Sequence, residues 1–206
     1  MDFSSAAWFG QWDIDLLTFM RSLVEPHTTL AQFVSIYADL PVFAVALSLL
    51  IWWLLGVYHR SDVYRREALK GFFMIVSVFL VYAIFNQFLP ERPRPEVIVP
   101  GIAPLIDHTP DNSFPSGHAA FAAASMIAAA VIFERRWLTI LVGFIGLDMC
   151  VVRVIAGIHY PSDIIAGWII GMMVAFFVHS LTHRYNRAYD RFLVAPLLRL
   201  ARMFHL

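Results

Sequence analysis

Long apolar stretches recur along this chain, and a bilayer leaves such a stretch one way to satisfy its backbone. Without water to donate and accept hydrogen bonds, each spanning segment must bond to itself, so each is read as an α-helix. The first covers about Leu40 to Tyr58, with a helical pattern reaching back to Thr29. The second runs from about Gly71 to Leu89, the third from about Gly117 to Phe133, the fourth from Trp137 to about Ala156 and the fifth from about Ser162 to Leu181. Composition agrees, since 60% hydrophobic residues and a mean hydropathy of +0.69 exceed what a soluble globule carries. The expected fold class is all-α: an integral membrane helical bundle of five or six spans, forming a single domain over residues 1–206.

The two ends are read differently. Residues 1–38 set Trp8, Trp12, Leu16, Leu17, Phe19, Met20, Leu23 and Val24 among Asp13, Asp15, Arg21 and Glu25. That is too charged for a span and predicts an interfacial or re-entrant N-terminal helix with tryptophans at headgroup depth. Residues 182–206 alternate arginines with Phe192, Leu193, Leu197, Leu198, Leu200 and Phe204, the pattern of a basic amphipathic tail, which Pro196 should break or bend. Met1 to Gln11 lacks the basic start and long apolar core of a cleavable signal. The one cysteine, Cys150, lies in an apolar run, which excludes a disulfide framework and a thiolate metal site.

Basic residues assign the two faces. Of the fifteen lysines and arginines, Arg60, Arg65, Arg66, Lys70, Arg135, Arg136, Arg184, Arg187, Arg191, Arg199 and Arg202 share one side of a five-span arrangement, so that side is cytoplasmic. Only Arg21, Arg92, Arg94 and Arg153 fall on the opposite side. The loop of residues 90–116, with seven prolines, then faces outward together with His118 and residues 157–161. Loops of that length are uncommon unless they are functional. The expected disposition is multi-pass, with the site on the face away from the cytoplasm.

Three clusters share that outer face. Asn112-Ser113-Phe114-Pro115-Ser116-Gly117-His118 runs straight into an alanine-rich span. Pro115 suits a first helical turn, Ser116 and Gly117 can present backbone N–H groups to an anion, and His118 can exchange a proton with it. By itself the stretch also reads as a helix start with an incidental histidine. Glu91-Arg92-Pro93-Arg94-Pro95 offers two guanidinium forks on a stiffened backbone, suited to phosphate oxygens or to lipid headgroups. In Arg153 to Asp163, a guanidinium near the end of an apolar span calls for a partner or ligand. Asp163, four residues after His159, can accept the Nδ1 proton of that histidine and leave Nε2 free as a nucleophile; alone, the pair is also a plain buried hydrogen bond. Two histidines, three arginines and an aspartate on one face of so apolar a chain favour an anionic substrate, most simply a phosphate. No metal is expected, because the clusters lack a ligating histidine pair and their arginines repel a cation.

These residues resemble the type 2 phosphatidic-acid phosphatase superfamily. Pro115-Ser116-Gly117-His118 is similar to its second signature, and Arg153, His159 and Asp163 match its third in type and spacing, with Val152 where serine usually opens it. The first signature is matched in part: Arg94-Pro95 has the spacing that puts Gln87 where the family has lysine, and aligned on Arg92-Pro93 the position is Phe85. Within the superfamily the chain looks most like the bacterial undecaprenyl-diphosphate phosphatases. The resemblance implies His159 as nucleophile held by Asp163, and His118 as acid and then base. It also implies that Arg94, Arg92 and Arg153, with Ser116 and Gly117, hold the phosphate, without metal or cofactor. It implies a polyprenyl or other lipid phosphate as substrate and the bilayer as partner, with no nucleic acid, and a bacterial inner (plasma) membrane location with the site on the periplasmic or extracellular face. Phosphatidylglycerol phosphate, phosphatidate and lipid A are alternative substrates. A transporter or non-catalytic lipid-binding protein would instead spread polar groups through the spans, and a vanadium-type haloperoxidase would be soluble. Asp148 is read as structural, and His108, with Asp107 and Asp111, as a candidate gate.

Overall fold

A computed structural model describes residues 9–89, 91–106, 112–133 and 136–203. The described residues are helical or irregular, with no strand among them: α1 (Gln11–Ser22), α2 (Thr29–Tyr37), α3 (Leu40–Tyr58), α4 (Asp62–Asn86), α5 (Pro95–Ile98), α6 (Gly117–Phe133), α7 (Arg136–Ile155), α8 (Pro161–Arg184), α9 (Asn186–Tyr189), a π-helical turn (Asp190–Val194) and α10 (Ala195–Met203). Four of them, α3, α4, α7 and α8, are long and apolar enough to cross a membrane, and α6 is a shorter apolar helix. Side chains such as Phe43, Leu50, Phe144 and Phe176 are exposed along these helices, as lipid-facing positions require. Trp8, Phe204 and the turn at Glu134 and Arg135 lie outside the described residues.

Two helix boundaries depart from hydropathy, each for a local reason. The pattern reaching back to Thr29 is a separate helix. Thr28 caps α2, its Oγ1 accepting from Ala31 N at 3.2 Å, and Pro41 in the first turn of α3 cannot continue a preceding helix. The second span starts at Asp62, well before Gly71, because its polar turns pack on α3. Trp52 Nε1 donates to Glu67 Oε2 at 3.0 Å, and the Arg65 side chain is buried against Gly56. Hydropathy marks the apolar part of a helix, not its length. It ends at Asn86, just short of Pro90, where a helix must stop. Pro196 falls in the first turn of α10, directly after the π-helical turn.

Alanine-rich α6 is the central helix, enclosed by α4, α7 and α8, with Ala119, Ala120, Ala122, Ala123 and Ala124 all buried. Close approach to α8 is set by two glycines. A Cβ on Gly167 would stand 2.4 Å from the Ser116 carbonyl oxygen, and one on Gly171 would stand 2.4 Å from the Ala120 carbonyl oxygen. Backbone cannot yield to that extent without separating the helices. Gly171→Val is therefore expected to lower the detergent-solubilised melting temperature by several degrees and to reduce the folded yield; an unchanged melting curve would show that the two helices do not cross so closely.

α1 does more than rest on the bundle. It exposes Trp12, Leu16, Phe19 and Leu23, packs on α7 and α8, and buries Leu17 and Asp13 completely.

Candidate active site

The N-terminal ends of α3, α6 and α8 and the C-terminal ends of α4 and α7 meet at one end of the bundle, where the three sequence clusters come together. Between α7 and α8 the chain reverses through Gly157, whose φ of 79° is the left-handed conformation that favours glycine, and Pro161 opens α8. That turn carries His159, which is 3% exposed. The Pro93-containing loop is tied to the segment before α6. Asn112 Oδ1 accepts from Arg92 N at 2.9 Å and from Phe114 N at 3.1 Å, and Ser113 N donates to the Arg92 carbonyl at 2.9 Å. Tyr82, on α4, donates its hydroxyl to the Pro115 carbonyl at 3.0 Å and packs under Gly117.

His159 Nδ1 lies 3.0 Å from the Ser113 carbonyl oxygen and 3.6 Å from Asp163 Oδ2. A carbonyl oxygen can only accept, so the proton sits on Nδ1 and Nε2 keeps its lone pair. The tautomer is thus set first by a backbone carbonyl, with the carboxylate behind it. Burial holds the imidazole down at about 4; Arg153 and Arg94 push the same way, against the raising effect of Asp163. At neutral pH His159 is an uncharged base. On its Nε2 side Arg94 Nη1 stands 3.5 Å away, while that same nitrogen donates to the Ile158 carbonyl at 2.8 Å.

Arg153, 7% exposed, donates from Nη1 to Asp39 Oδ1 at 2.8 Å, and its buried Nε has no hydrogen-bond partner among the described residues. His118 Nε2 lies 2.9 Å from the same Asp39 oxygen. Ser116 is fully buried; its N–H donates to the Asp163 carbonyl at 3.1 Å, which leaves the hydroxyl, and not the amide, as its free donor.

Arg92 is placed differently from the expectation that it holds phosphate. It is 0% exposed, donates from Nη1 to Ser162 Oγ at 2.7 Å and to Asp163 Oδ1 at 2.6 Å, and from Nη2 to Asp13 Oδ2 at 2.7 Å. Its guanidinium also stacks 3.6 Å over the Tyr160 ring. With two buried carboxylates on the one fork, the group is committed to the protein interior and not to a ligand. Asp163 is likewise a hub, accepting from Ser113 Oγ at 2.5 Å and from Tyr160 N at 2.9 Å.

Three participants were not identified from sequence. Asp39 sits just before an apolar span, where an aspartate reads as a helix cap. Asp13 looks like one charge among several in α1, and Tyr82 like a residue of an apolar run; none carries a local signal. Asp148 hydrogen-bonds the Tyr37 hydroxyl, which burial and that carboxylate raise above its ordinary value. Asp107, His108 and Asp111 lie outside the described residues. An apolar groove of about 170 Å³ runs between α3, α6 and α7 past Pro41, Ala44, Phe121, Gly146 and Met149, beginning two residues from Asp39. Among the described residues no group of three or more histidine, cysteine or acidic side chains is arranged to hold a metal ion.

Residues 67–187 match the family model described as the PAP2 superfamily. The chain is 28% identical over 178 residues to the bacitracin transport permease protein BcrC of Bacillus licheniformis, covering 82% of this chain and 80% of that protein. It is 28% identical over 157 residues to the undecaprenyl-diphosphatase BcrC of Bacillus subtilis, covering 76% of this chain and 77% of that one. In fold it is similar to the crystal structure of a transmembrane PAP2-type phosphatidylglycerolphosphate phosphatase from Bacillus subtilis. The TM-score is 0.65 at 18% identity, over 88% of this chain and 91% of that one.

Proposed function

We propose, from the premise that this chain belongs to the PAP2 superfamily and is a membrane lipid phosphatase of that family, that it removes the terminal phosphate of undecaprenyl diphosphate. The observation that carries the reading is His159: a buried, uncharged imidazole whose Nδ1 faces a carbonyl and whose Nε2 opens toward Arg94. That is the posture of a nitrogen nucleophile beside a cation that can hold phosphoryl oxygens.

His159 Nε2 attacks the terminal phosphorus, forming a phosphorus–nitrogen bond as the bridging oxygen leaves with undecaprenyl phosphate. His118 gives that oxygen a proton, then takes one from the water that hydrolyses the phosphohistidine, returning His159 and releasing inorganic phosphate. Arg94 and Arg153 hold the equatorial oxygens, with the Ser116 hydroxyl and the Gly117 amide; the unpartnered Nε of Arg153 is a donor in want of such an oxygen. Arg92 and Asp163 position this set from behind. The groove between α3 and α7 takes the first isoprene units of the lipid. The site faces the outside of the inner membrane, as the cytoplasmic weighting of arginine and lysine implies.

Phosphate release from a lipid panel in mixed micelles tests this. Undecaprenyl diphosphate is expected to give a higher kcat/KM than phosphatidylglycerol phosphate, phosphatidate or lipid A, by about tenfold or more. Preference for any of the other three would reassign the substrate and leave the lipid phosphatase in place.

A further inference from the structure

One oxygen of Asp39 touches two groups that the reaction needs. Oδ1 lies 2.9 Å from His118 Nε2 and 2.8 Å from Arg153 Nη1. A proton-carrying imidazole nitrogen and a guanidinium meeting on one anionic oxygen is the environment a departing phosphate oxygen requires. Asp39 also forgoes its local role. It is the residue before α3, where an aspartate ordinarily accepts a backbone N–H of its own helix, yet its side chain makes no such cap. It stretches to the site instead. The side chain is 47% exposed, against 8% for Arg153, so the carboxylate can turn outward while the arginine stays in place.

We propose that Asp39 is an internal competitor for phosphate. In the empty enzyme its carboxylate fills the leaving-oxygen subsite formed by His118 and Arg153, and a substrate enters by displacing it. This rests on reading the site as a phosphatase site. Displacement costs any phosphate the same ion pair, but only a lipid gains in return, because its chain lies in the apolar groove that begins at Pro41. Free phosphate has no such second contact. Asp39 thus raises the threshold for occupying the site: a lipid clears it through its chain, whereas small soluble phosphates, including the inorganic phosphate released by turnover, bind weakly.

The test measures anion binding without turnover. The purified full chain in detergent is titrated calorimetrically with orthovanadate and with inorganic phosphate, comparing wild type with Asp39→Asn and Asp39→Ala. Each variant is first checked for an unchanged thermal transition. Loss of the carboxylate is expected to tighten both anions by about tenfold or more, since a like charge leaves the subsite. Over the same series KM for the lipid should fall by a comparable factor, because the same carboxylate no longer has to be displaced. Binding that is unchanged or weaker in both variants would overturn the proposal and make Asp39 a positioning partner of His118. If no lipid is hydrolysed by wild type but the anions still bind more tightly to the variants, the substrate reading fails and the subsite stands.

Discussion

Replacing His159 by alanine is expected to lower kcat by about a thousandfold or more, the order of loss seen when a covalent nucleophile is removed from an enzyme. The protein should still insert and purify. The side chain fills a buried turn, but its one close protein bond, from Nδ1 to the Ser113 carbonyl, ties two segments that are also joined by Ser113 Oγ and Ser116 N donating to Asp163. Rapid quench with a substrate labelled in its terminal phosphate checks the prediction: wild type should yield acid-labile, base-stable labelled protein, and the variant none. Full activity in His159→Ala would remove the nucleophile assigned here. The pH profile gives a second reading. With the folded imidazole held at about 4, protonation does not switch His159 off until well below the ordinary histidine value of about 6.5. The acid limb of kcat/KM attributable to it should therefore lie on the acid side of that value. Weakening the arginine field by Arg94→Gln should move the limb upward.

The second large effect is on stability. Arg92→Ala leaves Asp13 and Asp163 fully buried and without their shared cation, and removing one partner of a buried pair costs about 3–5 kcal/mol. A loss of that size is expected to unfold much of the protein in detergent at ambient temperature, as read by near-ultraviolet circular dichroism or by a thermal shift of the tryptophan signal. Arg92→Lys should recover little, because one ammonium cannot reproduce the planar fork that serves two carboxylates and Ser162 at once. Arg94→Ala is the contrast: it should fold nearly as wild type does and lose turnover. If Arg92→Ala melted normally and lost only activity, the placement of Arg92 in the interior would be wrong.

The bundle was legible because apolar length and helix length nearly coincide for α3, α6 and α7, whose ends match their hydropathy to within a residue. The extra turns of α4 were not, since they depend on Trp52 reaching Glu67 across two helices. Within the site, residues announced by a motif, namely His118, His159, Arg153 and Asp163, were found together because spacing along the chain fixes which end of a helix each occupies. The division of labour between Arg92 and Arg94 was not legible. The two are separated by one proline, and only the partners decide which faces inward: Asp13 lies 79 positions away and Asp163 lies 71. Asp39 went unrecognised for the same reason, because nothing in Tyr37-Ala38-Asp39-Leu40 points toward a histidine in α6.

The clasp on Arg92 also bears on how such a protein is made. Its two carboxylates come from the first helix and from the last long one, so a nascent chain that has delivered only the earlier segments holds an arginine with half its counter-charge. His159 arrives with that final helix as well. With His159 as the proposed nucleophile, a chain that stops before α8 is expected to release no phosphate, so hydrolysis begins only once the last long helix is in place.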